Sequence, residues 1–576
     1  MRHLFVTVAS MLLVALLLFC VLFALLRPDK PKITSQSVLT VTLRGQVVER
    51  ITAAPVALAT NSADAVIDLA ALKKVLKHAQ ADPRIQGIYL ELGVLRAGWA
   101  QLAEIRAALQ AFQQAGKFII AYGTTYTQKA YYIAALADEL VIHPAGEFSF
   151  QGFSQTIVFY KALLEKLGVQ PEIFRVGKFK SAVEPFARQD MSPANKHQRT
   201  VLLNKLYAHF LGTVASDRQL GAALLRQYAH DLAVVMPQAA QQAGLLSQVG
   251  YYNDVEALLR TKLALEANKQ INYVSWNKYA LTLDAPLRSK QKIAVLTAEG
   301  VIVNGKGTAT QISARTFAKH IRALAQDEEV KAVVLRINSP GGSSTASDTL
   351  WKELMLLKAK KPVVASMSDI AASGGYYMAA ACDYIWAHPT TITGSIGIWG
   401  VFFDVNVLLR QKLGITTDVA KTSPSADLFT NLGRPLSRKE KQFIQRSLDK
   451  GYDTFLEKVA QGRSLGKQTV EKIASGRIWT GSMAKKRGLV DALGGLEEAI
   501  QTAANLIQLE EGEYTVTQFP ATQSFWQELL KDEDREAPGA MAWQALQAKI
   551  PQLQHFQALV DLQGMQARLP YEIVIE

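Results

Sequence analysis

The chain has 576 residues, 49% of them hydrophobic and 20% charged; this excludes a collagen-like or disordered polymer and exceeds what a single core organises. The net charge of +13 comes from Lys and Arg spread along the sequence, and the densest cluster, Lys358, Lys360 and Lys361, is short. No nucleic-acid-binding motif accompanies it, so a solvated basic surface is expected and no nucleic-acid partner.

Residues 4–26 carry no charge, and Thr7 and Ser10 are their only polar groups apart from Cys20. As a helix they would span ~34 Å against a hydrocarbon core of ~30 Å. No clean small-x-small cleavage site precedes Arg27, so residues 1–30 are expected to form a retained transmembrane anchor touching lipid through residues 4–26. Arg2 flanks one end and Arg27, Lys30 and Lys32 the other, so charge does not choose an orientation. Cys20 and Cys382 make no disulfide framework and read as packing residues.

Beyond the anchor the sequence repeats. Tyr131-Tyr132-Ile133-Ala134-Ala135, Asp138 and His143-Pro144 return as Tyr376-Tyr377-Met378-Ala379-Ala380, Asp383 and His388-Pro389, an offset of 245 residues throughout (376 against 131). The similarity divides the chain into a first repeat over 37–261, a connector over 262–290, a second repeat over 291–505 and an extension over 506–576. Within each repeat apolar strands alternate with amphipathic helices. The first has strands at 88–90 and 118–120 around a helix over 102–112. The second has strands at 293–296, 332–337 and 363–365, with helices through Phe317, Ile321 and Leu324 and over 350–357. This alternation predicts an α/β layer fold with largely parallel strands in each copy.

Two segments of the second repeat carry candidate chemistry. Asn338-Ser339-Pro340-Gly341-Gly342 ends a strand, and its glycines allow backbone N–H groups to face a ligand as an oxyanion hole does; Pro-Gly-Gly is also an ordinary turn. Ala371-Ala372-Ser373-Gly374-Gly375 opens a helix, where Ser373 is either a nucleophile or a helix cap. The first repeat has Gln128 opposite Ser373 and Gly93-Val94-Leu95 opposite the turn, so it keeps the scaffold without the hydroxyl or the glycine pair. His388 is a poor base for Ser373, because its counterpart His143 occurs in the copy without the serine. Lysine remains: the first repeat carries Lys178 and Lys180, and the second has Pro424 roughly opposite Lys180. No metal cluster or phosphate loop is visible, and no cofactor is expected.

The Asn-Ser-Pro-Gly-Gly turn, Ala-Ala-Ser-Gly-Gly-Tyr-Tyr, Thr391-Ile392-Thr393-Gly394-Ser395-Ile396-Gly397 and Lys180-Ser181-Ala182-Val183-Glu184-Pro185-Phe186 together resemble the signal peptide peptidase A family (peptidase family S49), in its long tandem-repeat bacterial form. The resemblance implies two tandem Clp-protease/crotonase-like domains and a Ser–Lys dyad, with Ser373 as nucleophile and Lys180 as base. It further implies an oxyanion hole at Gly341 or Gly342 with Gly374, and Ser395 orienting the lysine. It implies peptide substrates such as signal peptide remnants and a homo-oligomer, a tetramer. It also implies a place in the bacterial inner membrane with the catalytic domains on the periplasmic side. A depressed lysine pKa is required, and burial against Phe179, Val183 and Phe186 would provide it. Two other readings are an acyl-CoA enzyme, since crotonase-like folds handle thioesters, and a non-catalytic scaffold. The division of serine and lysine between repeats and the anchor argue against the first, and the presence of both residues against the second.

Overall fold

The computed structural model describes residues 31–51, 66–266, 268–283, 289–308, 310–430, 434–520 and 564–568. The expected anchor over 4–26 lies outside them, and among the described residues no helix is long and apolar enough to cross a membrane.

The first repeat builds a parallel sheet in the order Val66–Asp68, Ser37–Val48, Ile85–Arg96, Phe118–Tyr126, Glu139–Phe148, Gln248–Val249. The second builds the matching sheet from Lys292–Glu299, Val330–Ser339, Val363–Ala372 and Tyr384–Ala387, also parallel. Such strands are covered on both faces, which is why the central run Ala332–Leu335 of Val330–Ser339 is wholly apolar and buried. Helix Ala314–Gln326 shows the packing rule: Phe317, Ala318, Ile321 and Leu324 fall on one face and are buried, and the Ser313 side chain caps its N-terminus by accepting from the Thr316 N–H. Its counterpart Leu69–Ala81 is capped in the same way by Asp68.

The offset read from the sequence holds element by element. Helices Leu69–Ala81 and Ala314–Gln326, strands Phe118–Tyr126 and Val363–Ala372, and the long helices Pro193–Arg218 and Arg438–Arg463 all begin 245 residues apart (314 against 69). The likeness also runs one strand further than the sequence suggested. Asn272–Ser275, in the expected connector, pairs parallel with Ser37–Val48, and Thr515–Phe519, in the expected extension, pairs parallel with Lys292–Glu299. Both strands are short and partly exposed, too brief to show a period.

A third sheet joins the two repeats. Its order is Gln311–Ser313, Val301–Val303, Gly341–Ser343, Gly564–Arg568, Trp399–Asp404, Gln170–Arg175. The last strand comes from the first repeat, yet its six residues pair antiparallel with Trp399–Asp404 of the second. A buried polar network adds a second clasp. Arg336 Nε donates to Glu49 at 2.7 Å and its Nη2 lies 2.7 Å from Glu104, while its other contacts are Ser366 and Ser368. Asp369 of the second repeat accepts from the N–H groups of Gly98, Ala100 and Gln101 at 3.1, 2.8 and 3.0 Å. Those groups open helix Trp99–Gln114, where free N–H groups and the dipole favour a carboxylate.

Candidate active site

The Asp369 clasp lies on strand Val363–Ala372, which runs straight into Ser373. Ser373 adopts φ 55° and ψ −113°, a conformation that L-residues rarely hold. Its N–H donates to the Gly394 carbonyl at 2.8 Å, and helix Gly374–Ala379 follows at once. The side chain is fully buried.

Lys180 reaches it from the other repeat. Strand Gln170–Arg175 is held in the shared sheet, and the chain then turns through Gly177 to Lys180. The turn lies on residues 475–476 of the second repeat: the Phe179 N–H donates to Ser475 O at 3.0 Å. A Cβ on Gly476 would come within 2.5 Å of Lys180 Cβ, so only glycine lets the two backbones meet. Lys180 Nζ then lies 2.9 Å from Ser373 Oγ, 2.9 Å from the Ser395 carbonyl and 3.0 Å from Ser395 Oγ. No carboxylate faces it in this set of partners, and burial pushes the amine down to about 7. Val183 and Phe186 lie in the apolar cluster behind it, with Ala182, Trp399 and Val401.

Lys178 points elsewhere. It is exposed, with its ammonium 5.2 Å from the centre of the Phe179 ring. His388 bonds Thr390 Oγ1 at 2.8 Å and packs edge-on against His209, and its imidazole is pushed down to about 4, first by burial. Pro424 is exposed in a turn.

The predicted oxyanion glycines form the strand Gly341–Ser343. Gly341 has φ +95°, and a Cβ there would lie 2.6 Å from Gly374 N, so the turn and the helix start converge. The Gly341 N–H already donates to Ser339 Oγ at 3.2 Å. Residues 564–568 pair antiparallel with this strand on one side and with Trp399–Asp404 on the other.

The matching place in the first repeat is closed. Gln128 Nε2 donates to Gly152 O at 2.8 Å, and Gly152 N donates back to Gln128 Oε1 at 2.9 Å. Two supporting residues escaped the sequence reading. Gln198, on helix Pro193–Arg218, donates to Phe179 O at 3.0 Å and accepts from the Ile478 N–H at 3.4 Å, tying the lysine turn to the second repeat. Trp399 is fully buried, and its indole N–H donates to the Arg568 carbonyl at 2.9 Å. Neither belongs to a motif; a glutamine and a tryptophan at single positions carry no periodic signal. Among the described residues no group of three His, Cys, Asp or Glu side chains is placed to hold a metal ion.

A buried hydroxyl beside a buried amine that is half neutral near pH 7, with converging backbone glycines, has the parts needed for acyl transfer. Comparison with known proteins gives the class: this is a serine peptidase. The model of "Peptidase family S49" matches residues 111–266 and again 355–510, and that of "Clp protease" matches residues 285–390. The chain is 37% identical to Protease 4 of Salmonella typhi over 485 residues, covering 83% of this chain and 77% of that one. It is 35% identical to Protease 4 of Haemophilus influenzae over 499 residues, covering 83% and 80%. It is 34% identical to the chloroplastic serine protease SPPA of Arabidopsis thaliana over 483 residues, covering 82% and 69%. The chain belongs to peptidase family S49, as a tandem repeat with a Clp-protease-like α/β fold.

Proposed function

We propose that this serine peptidase works through a dyad divided between its repeats, with Ser373 as nucleophile and Lys180 as general base. The observation that carries the reading is the 2.9 Å contact between Lys180 Nζ and Ser373 Oγ. Neutral Lys180 takes the Ser373 proton as Oγ attacks a peptide carbonyl, then passes it to the leaving amine; water repeats the cycle on the ester. Ser395 holds the amine through its carbonyl and hydroxyl, which leaves the Nζ lone pair to be aimed at Ser373. The glycines 341–342 and 374 stabilise the oxyanion.

The first repeat (37–261) thus supplies the base and the second (291–505) the nucleophile. Residues 1–30 anchor the chain in a bacterial inner membrane with both repeats on the periplasmic side. The substrates are apolar peptides, signal peptide remnants among them. A homotetramer is the assembly we expect. Support for the substrate class comes from a relative, an Enterococcus faecium protein described as a putative signal peptide peptidase, 35% identical over 219 residues.

Turnover of a fluorogenic peptide by Ser373→Ala, Lys180→Ala and Lys178→Ala tests the dyad. The first two should be inactive and the third active. Wild-type turnover by Ser373→Ala would end the reading, and a dead Lys178→Ala beside an active Lys180→Ala would move the base to Lys178.

A further inference from the structure

A lysine acts as a base only while its amine stays buried and aimed, so the turn that carries Lys180 has to be held on both sides. The residues before and after Lys180 share one anchor, the buried side chain of Gln198. Gln198 Nε2 donates to the Phe179 carbonyl at 3.0 Å and to Ser181 Oγ at 3.3 Å, while Oε1 accepts from the Ile478 N–H at 3.4 Å. A carbonyl only accepts and a backbone N–H only donates, so the amide has one orientation here and both Nε2 hydrogens are used.

The bond to Ile478 ties this turn to the strand behind Ser395. Ile478 pairs antiparallel with Gly394, and the Arg477 carbonyl beside it accepts from the Ser395 N–H at 2.8 Å. Ser395 in turn contacts Lys180 Nζ through its carbonyl and its hydroxyl. One side-chain amide therefore spans the backbone from which the amine hangs and the backbone that supports the residue receiving it. Gln198 is itself held. Its helix, Pro193–Arg218, is pinned at its start by the buried Glu184, which accepts from the Ser192 N–H at 3.1 Å and from Asn195 Nδ2 at 2.8 Å and lies 3.6 Å from Arg175. Lys178 and Arg477, the cations packed on the turn, sit 5.2 and 4.8 Å from the centre of the Phe179 ring.

We propose that Gln198 is a positioning residue for the dyad, setting Lys180 Nζ against Ser373 Oγ by locking the lysine turn onto the strand behind Ser395. This rests on the dyad reading above and adds a residue that touches neither substrate nor the reacting atoms. Without the amide, the Phe179 carbonyl and the Ile478 N–H lose their shared partner and the two backbones are free to slip. A slip changes the distance between Nζ and Oγ and lets water reach the amine.

Gln198→Met, in the full chain, keeps a side chain of similar length and removes all three bonds. Its kcat on a fluorogenic peptide, per folded molecule, should fall about tenfold to a hundredfold, with KM within about twofold of wild type. The pH of half-maximal kcat/KM should rise by about one pH unit, because the loosened amine regains water. Circular dichroism on the same sample gives the folded fraction. A glutamine with a merely structural role would lower that fraction and the thermal midpoint but leave both kinetic readings unchanged, and that outcome overturns the proposal. Should Gln198→Met not fold, Gln198→Glu takes its place: it keeps the acceptor for the Ile478 N–H and, as a carboxylate, loses the donor to Phe179. Its kcat should fall in the same way, and a wild-type kcat overturns the proposal. Lys180→Ala in the same assay separates the two readings. If it is active, the dyad and this proposal fall together; if it is dead while Gln198→Met turns over like wild type, this proposal alone falls.

Discussion

Acid should silence this enzyme through one amine. Burial pushes Lys180 down to about 7, and a general base works only when unprotonated. The neutral fraction is then about 10% at pH 6, half at pH 7 and about 90% at pH 8. The rate constant kcat/KM should therefore rise about tenfold from pH 6 to pH 8 and level off above. An amine at the ordinary value of ~10.4 would give about a hundredfold rise over the same interval and no plateau. The assay is kcat/KM for a quenched fluorogenic peptide without titrating groups, at constant ionic strength. Among the described residues, burial also raises Asp369 to about 6 and Glu299 to about 8, the latter helped by Glu49. Neither is bonded to Lys180, so Asp369→Asn and Glu299→Gln should leave the inflexion near 7 in place. An inflexion that follows Glu299→Gln, or a rate still climbing at pH 10, refutes the assignment of the base.

The same burial predicts a stability gain from losing the base. Lys180 has a folded pKa below its unfolded one, so its cost to the fold is full below about pH 7 and fades as pH rises towards 10. Lys180→Met should raise the thermal midpoint at pH 6 to 7, by up to about 4 kcal/mol in free energy, and much less at pH 10; an equal shift at both pH values would count against a buried neutral amine. Arg336→Met should do the opposite, leaving Glu49 and Glu104 buried without their main cation, at a cost of about 3–5 kcal/mol. That loss should shrink as pH falls and Glu104 takes up its proton; a pH-independent loss in a denaturation series would show that packing, not charge, was removed.

Much of the architecture could be read before any coordinates. The 245-residue offset marked both copies because buried parallel strands and capped amphipathic helices leave strong periodic patterns. The proposed dyad was suggested by comparison of the copies, Gln128 against Ser373 and Pro424 against Lys180, and named by the family resemblance. A tight turn separates Lys178 from Lys180 in space: one side chain is exposed over Phe179 and the other is buried against Ser373. What stayed hidden depends on long-range pairing. Gln170–Arg175 joins the other repeat's sheet, and residues 564–568 find two open strand edges, yet both are short and unpatterned. Expectations for residues 4–26 concern a segment outside the described residues.

The closed pocket of the first repeat acts as a ratchet. Gln128 and Gly152 exchange two hydrogen bonds across the place where a nucleophile would stand. Restoring a serine there removes both bonds and strands the Gly152 N–H and carbonyl, each bond contributing about 0.5–1.5 kcal/mol. It also returns neither the glycine turn, replaced by Gly93-Val94-Leu95, nor a lysine from the opposite repeat, where Pro424 lies exposed. Every single step back is therefore a loss in stability with no gain in catalysis. A duplicated enzyme that has filled one pocket in this way is committed to asymmetry, and its first half is held to what it still gives the second: the strand 170–175, the Glu49 and Glu104 carboxylates, and Lys180.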